Sequence, residues 1–99
     1  MKKIVKKTVK KAKEYLSNYG FNDKKIEEMI ELSISDMNKI LDRLEQLLQN
    51  DKLDKKDTKK QLHALKGLVS QLHNLKLAKK IEQIENNIKR EDLKKLLSE

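Results

Sequence analysis

The chain has 99 residues, of which 40% are charged and 3% aromatic, with no cysteine, no proline and only two glycines. That composition excludes a disulfide framework or thiolate metal site, argues against a β fold, and predicts a small all-helical domain. The net charge of +8 lies almost wholly in the first 13 residues, where seven lysines occur with no acid; basicity marks one segment rather than the chain as a whole.

Ile4, Val5, Thr8, Val9, Ala12, Leu16 and Tyr19 recur at spacings of three and four. This predicts an amphipathic helix over roughly 3–18, stopped by Gly20. Its polar face is nearly all lysine. The expected role is an added helix over residues 1–20 that covers one end of a bundle formed by 21–99, the two making a single domain. Attraction to an acidic partner is the next reading. The chain has no tryptophan to anchor at a membrane interface and no aromatic interleaving for stacking on bases, so a membrane surface and nucleic acid rank below both.

Asn22 or Asp23 is expected to cap a second helix, with Glu27 and Glu28 in its first turns. Ile26, Met29, Ile30, Ile34, Met37, Leu41, Leu44 and Leu48 keep the helical period to about Asn50, a run of about 40 Å if unbroken. Ser33 and Ser35 leave open a kink or a break. A third helix begins near Asp51 or Asp54 and carries His63 on a seam of Leu62, Leu65, Val69 and Leu72, with Leu68 on its flank. A break at His73 and Asn74 leads to a fourth helix with Leu77, Ala78, Ile81, Ile84 and Ile88, loosened by Asn86-Asn87. Arg90 to Leu97 reads as a short last helix burying Leu93, Leu96 and Leu97. Each helix has one apolar stripe to bury, which predicts an antiparallel bundle with short connections. Such a bundle needs no dimer to complete its core, so a monomer is expected. No apolar run approaches the roughly 20 residues that span a bilayer, and the N-terminal lysines precede no secretory h-region; a cytoplasmic protein is expected. Two histidines without an acidic cluster of ligand spacing predict no metal site and no cofactor.

The stretch His63-Ala64-Leu65-Lys66-Gly67 carries the most chemistry. A helix turns 100° per residue, so Leu62, Leu65, Leu68, Val69 and Leu72 share about a third of its circumference. His63 falls roughly opposite the middle of that arc. Lys59, Lys66 and Ser70 cluster near it, and Gly67 lies just past it. A glycine in a helix interior costs about 1 kcal/mol relative to alanine. Close helix packing explains Gly67 poorly, because it is on the histidine side; open space beside an imidazole explains it better. Imidazole, with an unperturbed pKa near 6.5, keeps a ring nitrogen free to attack at neutral pH. Phosphoryl transfer to that nitrogen asks mainly for positioning and charge stabilisation. Lys66 is the expected electrostatic partner, with Lys59 a second cation and Ser70 a hydrogen-bond donor.

These residues resemble the histidine-containing phosphotransfer (HPt) domain family, whose pattern is His-x-Leu-Lys-Gly followed by small residues and a Leu-Gly pair. His63-Ala64-Leu65-Lys66-Gly67 matches fully and Leu72 falls on the family's leucine. The helix Leu77 to Glu85 resembles the one that follows the histidine, with Ile84-Glu85 for the family's terminal Leu-Glu. The likeness covers roughly 23–85. It departs at His73, where the family has glycine, so that turn is expected to be made differently, and at the bulkier Leu68 and Val69. The resemblance implies a four-helix bundle with an exposed phosphoacceptor, phosphate on Nε2 of His63, and partners that are a histidine kinase and receiver domains bearing a phosphorylatable aspartate. It implies a carrier without catalytic turnover, no small-molecule substrate and no metal of its own, Mg²⁺ arriving with the receiver. Two other readings are a small basic module for nucleic acid or an acidic protein surface, and an HPt-like adaptor that transfers nothing.

Overall fold

A computed structural model describes residues 2–99; Met1, the first residue of the expected 1–20 segment, lies outside the described residues. Of the described residues 83% are helical. They form five helices, α1 (Lys3–Asn18), α2 (Asp23–Gln49), α3 (Lys55–Gln71), α4 (Leu75–Asn86) and α5 (Arg90–Ser98). The long axis measures 47 Å against 21 and 19 Å across, which is set by α2. That helix runs unbroken through Ser33 and Ser35, so the two serines do not break it. Each lies within two residues of an apolar side chain that packs inward, Ile34 or Met37, and that burial outweighs the weak helix propensity of serine.

Side-chain caps start three of the helices. Asn22 accepts from the Lys25 amide, Asp54 from the Asp57 amide and Asn74 from the Leu77 amide, each satisfying an otherwise orphaned N–H. Asn74 also reaches α1, where its Nδ2 donates to the Thr8 hydroxyl at 3.0 Å, and both residues are buried. One side chain thus starts α4 and fastens α1 to the α3–α4 turn. The N-terminus of α1 is held to α2 as well, where its cap residue Lys2 pairs with Glu45.

Helices α1 and α3 end in the same way. Phe21 N–H reaches the Leu16 carbonyl and Gly20 N–H that of Ser17; Asn74 N–H reaches Val69 and His73 N–H reaches Ser70. Both are Schellman closures, which need a left-handed residue after the cap. Gly20 supplies it at φ 86°, and His73 supplies it at φ 65°. The turn expected to differ because histidine replaces glycine has the glycine backbone after all. Histidine is among the non-glycine residues that enter this region most readily, and its ring meets the Tyr15 ring edge to face.

Leu41, Leu44, Leu62, Leu65, Val69, Ile81, Leu93 and Leu96 are fully buried and form one core with Ile4, Val5, Val9 and Ala12 of α1. Helix α2 is the hub, packing against α1, α3 and α5, while α4 lies along α3. Ile88, expected in the fourth helix, sits beyond the end of α4 in the connection to α5, half-buried against the core; Asn86 and Asn87 end the helix before it. No described helix is long and apolar enough to cross a membrane.

Candidate functional site

Helix α3 points its apolar seam inward: Leu62, Leu65 and Val69 are inaccessible to solvent. His63, one residue on from Leu62, is carried to the outside, and 70% of its side chain is exposed. Helix α4 folds back along α3 and brings Glu85, from its last turn, beside His63. The Glu85 side chain is only 10% exposed, wedged between the helices next to buried Ile84.

The Glu85 carboxylate serves two neighbours. Its Oε2 lies 3.2 Å from Nδ1 of His63 and its Oε1 lies 3.2 Å from Nζ of Lys66. An ionised carboxylate only accepts hydrogen bonds, so this contact suits the imidazole tautomer that carries its proton on Nδ1. In that tautomer the ring nitrogen with a free lone pair is Nε2. The Lys66 contact is of a different kind: buried Oε1 has no hydrogen bond of proper angle, and the ammonium is held by charge at ion-pair distance. Lys66 is therefore partly covered and electrostatically balanced.

Gly67 faces open space. A Cβ built there would meet no atom within 4 Å, so nothing in the fold itself requires the absence of a side chain. Lys59 is exposed and neither it nor Ser70 is bonded to His63; Ser70 contributes its backbone carbonyl to the end of α3. His63, Lys66 and Glu85 are thus brought together, and Gly67 faces open space on the same helix. Among the described residues no group of three or more histidine, cysteine or acidic side chains is placed to hold a metal ion.

No protein-family model matches this chain, and no curated protein or solved structure matches it either. The site has therefore to be understood from its own geometry. Sequence reasoning assigns Glu85 no role at the site. Its place in the Ile84-Glu85 pair is visible there, but contact with His63 depends on the register of α4 along α3. That register is set by the tight turn at His73 and the packing of Ile81 and Ile84, and no local pattern reports it.

Proposed function

We propose that this chain is a histidine phosphotransfer protein of a two-component phosphorelay, with His63 carrying a phosphoryl group between a histidine kinase and receiver-domain aspartates. In this reading α2 to α5 form an antiparallel four-helix bundle of the HPt type. Helix α1, within residues 1–20, is an additional amphipathic helix on the bundle of 21–99. The protein works as a cytoplasmic monomer and as a carrier, with no turnover of its own.

One observation carries the reading: a buried carboxylate joins an exposed histidine to the lysine one turn away. With Nδ1–H donated to Glu85, Nε2 is the nucleophile. It attacks the phosphorus of a receiver phosphoaspartate, the Nε2–P bond forms as the acyl O–P bond breaks, and the aspartate leaves as a carboxylate. The imidazole becomes cationic in this step, and Glu85 stabilises the positive charge through the same Nδ1–H contact. The phosphoryl oxygens arrive with negative charge, and Lys66, one turn from His63, supplies a positive charge for them. Return of the group to another aspartate retraces the path. The space beside Gly67 admits the receiver's loop, while exposed Met29 and Leu32 on α2 offer apolar surface for docking. Any Mg²⁺ is the receiver's.

The test is incubation with a phosphorylated receiver or an active histidine kinase. An acid-labile, base-stable label is expected on the wild-type chain and none on His63→Gln. A label that persists in His63→Gln sinks the assignment. Partner binding by wild type with no label at all favours the non-transferring adaptor.

A further inference from the structure

The lysines of α1 are not spread evenly over solvent. Lys3, Lys7 and Lys11 stand one turn apart on one face of α1, and Lys76 and Lys80 stand one turn apart on α4; together they line a cavity of about 490 Å³ between the two helices. Ile4 and Leu77 line it as well. Only one acid, Glu99, lies in it, and it pairs with Lys80. Among the described residues Lys3, Lys7, Lys11 and Lys76 make no ion pair.

That arrangement runs against the ordinary preferences of a helix. Like charges a turn apart repel, and lysines in the first turn oppose the helix dipole. Neither α1 nor α4 has an acid in its first turn to offset this. The N-terminus of α4 also opens here, since its cap Asn74 lines the same cavity. Two rows of lysines and a helix N-terminus therefore border one concave space with little compensating negative charge.

We propose that this groove between α1 and α4 binds a compact inorganic oligophosphate, a short chain of phosphoryl groups lying between the two lysine rows. A flat bilayer or a broad duplex would meet the outer edges of the rows, whereas a narrow polyanion in the groove meets both rows at once. No aromatic side chain lines the cavity, so nucleobases gain no stacking there. The groove lies on the α1 side of α4 and shares no residue with the His63 site, so it does not depend on the phosphotransfer reading.

Calorimetric titration of the full chain with sodium tripolyphosphate in 150 mM salt tests it (about 8 Å screening length, so diffuse surface attraction is damped). One tripolyphosphate per chain is expected, with a rise in melting temperature. Lys7→Gln with Lys76→Gln, and separately Lys3→Gln with Lys11→Gln, should each weaken binding at least tenfold while the helical circular dichroism is retained. Lys24→Gln with Lys25→Gln, on exposed α2 positions away from the groove, should change it less than twofold, and His63→Gln should bind as wild type. Equal losses in the groove and control variants, a stoichiometry above one, or tighter binding of single-stranded DNA with the same number of phosphates would overturn the site.

Discussion

In the proposed transfer two residues tune the chemistry of His63, and each can be changed alone. Gly67 is a helix-interior glycine with open space where a Cβ would go. Gly67→Ala should therefore stabilise the fold by about 1 kcal/mol, raising the melting temperature by about 4–8 °C, while slowing phosphotransfer because the methyl group stands in the partner's path. A thermal melt and a transfer time course on one sample separate the two effects; faster or equal transfer would leave the glycine unexplained. Glu85→Gln keeps an acceptor near His63 and removes the charge that balances the imidazolium. A hydrogen bond to a charged group contributes about 1.5–3 kcal/mol, and the exposure of His63 puts the loss at the lower end, about tenfold in transfer rate. An unchanged rate in single-turnover transfer would remove Glu85 from the site. The outward facing of His63 was legible in the sequence, because a leucine seam fixes the angle of every residue on its helix. Glu85 was not, because two helices must dock before it has a neighbour.

At the scale of elements, the ends of α2 show how much local sequence can say. Asn22 starts it through its side chain, and that capping chemistry is readable from the residue type. Its C-terminus is finished from a distance: the Arg90 guanidinium at the start of α5 donates to the carbonyls of Leu48, Asn50 and Asp51. Carbonyls left over at a helix end need such donors. Arg90→Ala should cost about 1–2 kcal/mol, seen as a lower urea midpoint and as faster amide exchange at the end of α2; Arg90→Lys, with one point charge for three acceptors, should recover only part. Exchange unchanged at residues 48–51 would contradict this capping role. The boundaries of α1 and the position of its glycine stop were also legible, since stripe and stop lie within one segment. Whether Ser33 and Ser35 broke α2 was not, because the answer came from the helices packed on both sides of it.

For the whole molecule, α2 is the member most other helices touch, and its link to α3 is electrostatic as well as apolar. Arg43 reaches Asp57 at 2.6 Å, and Gln61 also bonds to it. The Arg43 guanidinium and then the Gln61 amide hold the Asp57 carboxyl below the usual aspartate range. A folded-state value below the unfolded one contributes stability above the unfolded value, near 4, and that contribution is lost as pH falls through the folded value. Asp57→Asn should therefore flatten the acid limb of stability against pH while leaving its slope near neutrality unchanged. Denaturant melts from pH 2 to 7 show this directly, and an acid limb as steep as wild type would mean other carboxylates govern it. The all-helical class and the membership of one core across five helices follow from the apolar stripes. The lysine groove does not, because α1 and α4 are far apart in sequence and come together only when the chain folds, with Asn74 bonded to Thr8.

In the proposed transfer Nε2 of His63 receives the phosphoryl group while its Nδ1–H stays hydrogen-bonded to Glu85. Imidazole ¹⁵N–¹H correlation spectra of the chain, recorded before and after transfer from a phosphorylated receiver, test it most directly. The expected result is an Nδ1-protonated His63 at neutral pH before transfer and a phosphorus coupling on its Nε2 afterwards, with His73 unchanged. Phosphorus on Nδ1, on His73 or on neither ring would contradict it.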